Sequence, residues 1–187
     1  AKKNLNIPLD KIIISSFGFV TPPKQIEFSL KALAKIKDKT NNFLYFIVGD
    51  VSESVPVYEL IKTYDLEDHV KVIGYVDFEK LHLYMQATDI SLNLRYPSAG
   101  ETSAALYRTM GLGKCCLVFD YSSFSDLPDD TVIKINLDTY NIASIVIKLS
   151  YYINNPNEIK KIEKNAKRYI SESHSISITA NQYIDAI

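Results

Sequence analysis

The sequence predicts an α/β domain: a Rossmann-like, doubly wound parallel sheet with helices on both faces and a helical C-terminal tail. Two observations lead to this class. Short, nearly continuous apolar runs recur along the chain, which is typical of strands that are buried on both faces. Longer amphipathic stretches separate these runs, as the right-handed crossover helices of a parallel sheet require.

Size, composition and charge narrow the class of protein. The 187 residues suffice for one domain with a sizeable core, and the content of 47% hydrophobic and 23% charged residues is that of an ordered globular chain. With 21 basic and 22 acidic residues the net charge is −1, which argues against a nucleic-acid partner, because such binding needs a positive excess. No apolar run approaches the ~20 residues of a membrane span, and we expect no signal peptide.

The number and spacing of cysteines and histidines argue against disulfide bonds and structural metal sites. Cys115 and Cys116 are adjacent in an apolar run, so we expect two buried strand residues and a cytoplasmic setting. The histidines share no metal-ligand spacing, and no Asp-x-Asp motif occurs. We therefore expect no metal site and no cofactor.

The first half of the chain alternates predicted strands and helices. The first strand is a β-branched run that ends at Gly18. A helix is expected to open at Pro22, because proline fits a first helical turn, and Asn41-Asn42 breaks it. Apolar runs and amphipathic stretches then alternate up to residue 94. The predicted strands are residues 11–17, 43–48, 70–73 and 90–94, and the predicted helices are residues 22–36, 57–65 and 78–87.

The second half begins with a polar loop and ends in helices. The loop, residues 95–100, leads into a helix that Gly113-Lys114 terminates. Beyond residue 138 only helical patterns follow, so we divide the chain into an interdomain linker remnant (1–10), a ligand-binding domain (11–138) and the C-terminal helices of the same domain (139–187). The predicted strands are residues 115–119 and 131–135, and the predicted helices are residues 102–112, 140–154, 156–173 and 176–187.

Glycines mark the edge of the sheet where a ligand is expected. Gly18, Gly49, Gly74 and Gly100 fall just beyond predicted strand ends. In open α/β sheets the ligand crevice lies at the carboxyl ends of the strands, and glycine permits tight turns and close backbone approach there. The alternative is that each glycine only turns the chain.

The sequence also predicts an anion site at this edge. The loop Arg95 to Ser103 runs into a helix start, whose first N–H groups lack internal partners and attract anions. Lys24 stands at the start of the first predicted helix, where a cation is unfavourable unless an anion is near. If both helix starts face one crevice, Lys24 and the amides of residues 102–104 hold a diphosphate together. Ordinary helix capping and a solvated lysine are the alternatives.

The order of these pieces resembles the C-terminal half of a retaining glycosyltransferase with the two-domain GT-B architecture, of the group 1 (family 4) class. The resemblance covers nearly the whole chain and is most specific at RYPSAGETSAALYRTMGLGKCCLVFD and SFSDLPDD. The other segments that carry it are SFGFVTPPK, FIVGD, VKVIGYV, FEKLHLYMQATDISLNL and the tail from NPNEIKKIEKNAKRYISESHS to YIDAI.

What the resemblance implies is a donor site for a nucleotide-diphosphate sugar of the UDP or GDP type. Glu101 is the candidate catalytic residue, in contact with the sugar. The implied diphosphate-binding residues are Gly18, Lys24, Arg95, Thr102, Ser103 and Ala104. The implied base- and ribose-binding residues are Gly74, Tyr75, Leu106 and Arg108.

Two departures from the family pattern concern charge. Phe19 stands where relatives carry an arginine after the glycine turn, and Arg95 is a candidate for the missing cation. The usual two glutamates, separated by seven residues, align with Gly100 and Arg108, and Glu101 is one place off the first. For Arg108 the alternatives are a phosphate contact or a pairing with Glu101.

The expected whole enzyme transfers a sugar with retention at the anomeric carbon and without a metal. This chain lacks the N-terminal acceptor half, so we expect a fragment that is inactive alone, in the cytoplasm or at the inner face of a membrane.

The basic stretch 159–168 suggests peripheral contact with anionic lipid, or else a solvated helix face. The main alternative is a non-catalytic, degenerate interaction module. A dinucleotide oxidoreductase and a Walker-type ATPase are disfavoured, because the glycine motifs of both are missing.

Overall fold

Strands and helices alternate along the first three quarters of the chain. The computed structural model describes residues 1–98, 100–137 and 141–174, together with residues 178, 180 and 184. The strands are β1 (Ile12–Phe17), β2 (Phe43–Val48), β3 (Val70–Gly74), β4 (Ile90–Asn93), β5 (Cys115–Asp120) and β6 (Ile133–Asn136). The helices are α1 (Ile26–Lys37), α2 (Val57–Thr63), α3 (Phe78–Ala87), α4 (Ala104–Gly111), α5 (Ile142–Asn154) and α6 (Pro156–Ser173).

The six strands form one parallel sheet in the order β3-β2-β1-β4-β5-β6. The order reverses between β1 and β4, and a crevice opens at such a point outside the carboxyl ends of the strands. The predicted fold class, a doubly wound Rossmann-like sheet with a helical C-terminal end, is confirmed. The two chain segments that leave β1 and β4 therefore flank the same crevice.

Successive side chains of each strand point to opposite faces of the sheet, and both faces are covered by a hydrophobic core. In β1, Ile14 packs with α1, α2 and α5, while Ile13 packs with α3 on the opposite face. Cys115 and Cys116 divide in the same way, since successive side chains of a strand point to opposite faces, and both are fully buried. The apolar runs of the sequence are thus strands that are covered on both sides.

The C-terminal helix α6 completes the core on both sides of the sheet. Ile159 and Ile162 join the cluster around α1 and α5, whereas Ala166 joins the cluster under α4. These apolar positions face the protein, so the exposed face of α6 is the basic one. Any lipid contact of residues 159–168 would therefore be electrostatic, and it stays a prediction. No helix within the described residues has both the length and the apolar character needed to cross a bilayer.

Several element ends differ from those predicted. The stretch opened by Pro22 is a separate 3₁₀ turn (Pro22–Lys24), because Gln25 has a φ of 54° and α1 begins only at Ile26. The helix predicted from residue 102 begins at Ala104, since Ser103 is its N-cap. The predicted helix 176–187 lies almost wholly outside the described residues. The divisions at residues 10 and 138 stay predictions.

Candidate functional site

The segment that leaves β1 brings a lysine ammonium onto the end of the strand. Gly18 follows β1 with a φ of +86°, and the Nζ of Lys24 donates a hydrogen bond to the carbonyl of Phe17 at 2.5 Å. A Cβ on Gly18 would stand 2.8 Å from that Nζ. The left-handed backbone is what favours glycine here, because the Lys24 ammonium is the end of a flexible side chain and can shift away from a Cβ.

Lys24 is a cation in an unfavourable place. Burial, together with the charge of Arg95, lowers the pKa of Lys24 from 10.5 to about 8. One hydrogen bond to a neutral carbonyl offsets this only in part. An anion placed beside the Nζ would restore the charged form of Lys24, so the site favours anions electrostatically.

The segment that leaves β4 carries the second cation and the carboxylate. The Nη1 of Arg95 donates to the Oε1 of Glu101 at 2.5 Å, and the hydroxyl of Ser98 donates to the Oε2 at 3.1 Å. The same segment is tied to the Pro22–Lys24 turn: the Tyr96 N–H donates to the Pro23 carbonyl at 2.8 Å. The side-chain amide of Gln25 donates to the Tyr96 carbonyl at 2.6 Å. The two segments are therefore held together.

A cavity of about 380 Å³ lies between these segments. Lys24 and Arg95 provide two positive charges in its wall, and Glu101 provides one negative charge. The remaining lining residues are Thr21, Pro23, Pro97 and Ser98. Because the cavity lies between the segments that leave β1 and β4, it occupies the expected crevice of the sheet. We call it the cationic cavity.

A second cavity, of about 290 Å³, lies on the other side of the Gly18 turn. It is largely apolar, and two exposed aromatic rings border it: Phe19 is 56% and Tyr75 is 78% exposed. The Tyr75 N–H donates to the Oδ1 of Asp50 at 3.2 Å. Asp50 also lines the cavity, together with Gly18, Val48, Gly49, Val76 and Leu81. We call it the aromatic cavity.

The start of α4 is positioned by its own cap. The hydroxyl of Ser103 accepts a hydrogen bond from the Leu106 N–H at 3.3 Å and donates to the Oδ1 of Asn93 at 3.0 Å. Ser103 is buried, whereas Thr102 and Ala104 are exposed. The Ser103 side chain thus serves the helix, whereas the Thr102 side chain and the first backbone amides of α4 remain to meet a ligand.

The comparison with known protein families decides what kind of domain this is. The family described as Glycosyl transferases group 1 matches residues 1–169. The chain belongs to this family.

Known relatives of the group 1 domain agree with this assignment. The uncharacterized glycosyltransferase MJ1069 of Methanocaldococcus jannaschii is 26% identical over 175 residues, which are 93% of this chain and 44% of that protein. The C-terminal domain of the group 1 protein LpcC from Francisella tularensis superposes with a TM-score of 0.80 at 16% identity, over 93% of this chain and 91% of that one.

A longer relative has also been solved with ligands. Anabaena Alr3699/HepE, in complex with UDP and glucose, has a TM-score of 0.84 at 16% identity, over 99% of this chain and 50% of that one. At such identities the likeness concerns the fold, which is that of one half of a GT-B glycosyltransferase. The group 1 domain spans about half the length of MJ1069 and of HepE.

The structure brings some of the predicted site residues of the group 1 domain together. Lys24, Arg95 and Glu101 share the cationic cavity, and Gly18 and Tyr75 line the aromatic cavity. Gly74, with a φ of +73°, ends β3 beside this cavity and bridges to Gly49. The roles assigned to these residues stay predictions.

Two predicted ligand residues point elsewhere. Leu106 is 1% exposed and packs with Met110 in the core, so its side chain does not face the crevice. The guanidinium of Arg108 lies over the Phe78 ring, 5.5 Å from its centroid, and lines a separate cavity of about 210 Å³ between α3 and α4. The suggested pairing of Arg108 with Glu101 is wrong, because Glu101 binds Arg95 instead.

Sequence reasoning missed two residues that shape the site. Asp50 positions the Tyr75 backbone, and its signal was available, since it follows the strand of FIVGD as Gly18 follows β1. Ser98 holds the second oxygen of Glu101, and nothing in a single sequence distinguishes it from an ordinary loop serine. Among the described residues, no group of three or more His, Cys, Asp or Glu side chains is arranged to hold a metal ion.

Proposed function

We propose that this group 1 domain binds the donor of a retaining glycosyltransferase, a nucleotide-diphosphate sugar. The observation that carries the proposal is the cationic cavity, in which Lys24 and Arg95 meet at the reversal point of the sheet. Two positive charges suit a diphosphate, and the adjoining aromatic cavity suits a flat base. The solved complexes of HepE with UDP and with UDP-glucose support this class of ligand by analogy.

In the proposed reaction the bond between the sugar's anomeric carbon and the diphosphate oxygen breaks, and the acceptor's hydroxyl oxygen bonds to that carbon. The leaving diphosphate gains negative charge and takes up the acceptor's proton. Lys24 and Arg95 stabilise that charge from fixed positions, which lowers the barrier without a metal. Glu101 accepts a hydrogen bond from the sugar. The acceptor is held by the other half of the enzyme, so the domain alone binds donor without transferring sugar.

Retention at the anomeric carbon is the part of the proposal that rests on the family resemblance. It requires the whole enzyme to be tested, since the acceptor half contributes to the reacting centre. Proton NMR of the first-formed product, compared with the donor, distinguishes retention from inversion. An inverted product would contradict this part alone and would leave donor binding untouched.

The donor-binding role is tested by thermal unfolding of the domain with UDP, GDP or ADP. At a nucleotide concentration ~100-fold above the dissociation constant, the stabilisation is about 2.7 kcal/mol. For a domain of this size that is a rise in Tm of roughly 5–10 °C. Nucleosides without phosphates and inorganic pyrophosphate serve as separate probes of the aromatic and the cationic cavity.

The matched variants are Lys24→Ala and Lys31→Ala. The first removes the half-buried cation and should weaken nucleotide binding about ten- to hundredfold, the worth of one charge-assisted hydrogen bond. The second removes an exposed lysine of α1 that pairs with Glu27, and should change nothing. No Tm shift with any nucleotide would count against donor binding and favour the non-catalytic interaction module. Undiminished affinity in Lys24→Ala would refute only the diphosphate-binding role of Lys24.

A further inference from the structure

We propose that Arg95 is an exchangeable counter-ion: it neutralises Glu101 in the free domain and moves to the diphosphate when the nucleotide binds, which releases the Glu101 carboxylate. This inference rests on the proposed function and adds a regulatory step to the same site. Its consequence is that Glu101 competes with the nucleotide for Arg95.

The free domain has the starting state of such an exchange. Both carboxylate oxygens of Glu101 accept hydrogen bonds, one from Arg95 and one from Ser98. The Arg95 side chain is 21% exposed and that of Glu101 is 42% exposed. One donor thus reaches each oxygen of the carboxylate at the mouth of the cavity, while the guanidinium is already inside its wall.

Arg95 also acts on the other cation of the cavity. Its charge is one of the two causes that lower the pKa of Lys24, so the two side chains are close enough to repel each other. A diphosphate between them removes that repulsion and provides two strong acceptors. An exposed ion pair such as Arg95–Glu101 holds weakly by comparison, because water screens it. The exchange therefore runs toward the phosphate.

The backbone confines the movement to side chains. The Tyr96 N–H is bonded to the Pro23 carbonyl, and Gln25 is bonded to the Tyr96 carbonyl. The loop that carries Arg95 is thereby fixed to the turn that carries Lys24. Rotation about the Arg95 side-chain bonds is enough to pass its guanidinium from the carboxylate to a phosphate in the same cavity.

The decisive experiment is a double-mutant cycle on the binding of UDP and of GDP, measured by titration calorimetry. Glu101→Gln frees Arg95 in advance and should tighten binding about two- to fivefold, the worth of an exposed ion pair. In an Arg95→Gln background the same change should have no effect. Asp129→Asn is the matched control, because it removes a carboxylate from an ion pair with Lys134 outside both cavities.

Each outcome decides between the possibilities. Unchanged or weaker binding in Glu101→Gln overturns the exchange. Tighter binding that persists in Arg95→Gln also overturns it, because the carboxylate would then act only through its field. Arg95→Lys is a second background that keeps the charge and should retain part of the effect. If the wild type binds no nucleotide and no pyrophosphate, donor binding itself fails; if it binds and the cycle shows no coupling, only the exchange fails.

Discussion

The affinity of the domain for a nucleoside diphosphate should fall about tenfold between pH 7 and pH 9. The cause is Lys24, whose pKa of about 8 reflects burial first and the charge of Arg95 second. At that pKa about nine-tenths of the lysines carry a proton at pH 7 and about one-tenth at pH 9. If only the charged form holds the diphosphate, the apparent dissociation constant rises in inverse proportion to that fraction.

The assay is isothermal titration with UDP or GDP at pH 7, 8 and 9, repeated in buffers of different ionisation enthalpy. Binding near pH 8 should take up a proton, because a diphosphate beside Lys24 raises its pKa again. A terminal phosphate with a pKa of about 6 is already ionised over this range. In Lys24→Gln the affinity should be low and independent of pH. Arg95→Gln should move the fall in affinity to higher pH, because one cause of the lowered pKa is gone.

Stability should change in the opposite direction, which separates the loss of binding from unfolding. Lys24 has a lower pKa in the folded chain than its usual 10.5, so between pH 8 and 10.5 the unfolded chain binds more protons. The contribution of this group to the free energy of unfolding therefore rises with pH across that window. A flat wild-type binding profile, or the same fall in Lys24→Gln, would refute the assigned role of Lys24.

Two further changes test the packing behind the site. Gly49→Ala should lower the free energy of unfolding, measured in urea, by about 1–3 kcal/mol. The new Cβ would stand 2.5 Å from the Gly18 carbonyl oxygen, and residue 49 has a φ of +144°. A neutral effect would show that the turns at Gly18 and Gly49 are not in contact. Leu106→Ala should cost about 2–5 kcal/mol of stability and leave nucleotide affinity unchanged where the variant is folded; a selective loss of affinity would instead restore Leu106 to the nucleotide site.

The sheet was predictable because its strands are covered on both faces. A run such as FLYFIV has no polar alternation, and only a buried parallel strand accommodates it easily. The sequence predicted a doubly wound parallel sheet but not the order of its strands, since strand pairing depends on contacts between residues far apart in sequence. The position of the crevice could be predicted from the fold class, because the carboxyl ends of parallel strands lie at the same edge of the sheet.

The ligand residues were harder to predict because a motif does not give the direction of each side chain. Leu106 and Met110 are four residues apart on the buried side of α4, which their apolar spacing indicates once the helix is known. Arg108 lies between them in sequence and faces α3 instead. The left-handed Gln25, which separates Lys24 from α1, had no signal, since glutamine rarely adopts that conformation.

The two neighbouring cysteines give the domain an internal reporter. Their side chains lie on opposite sides of the sheet, which precludes a bond between them in this strand, and burial raises the pKa of both thiols. An alkylating reagent should therefore label them only during transient opening of the central sheet. Any compound that stabilises the closed form should slow that labelling, so candidate donors can be ranked with no knowledge of the sugar or of its acceptor.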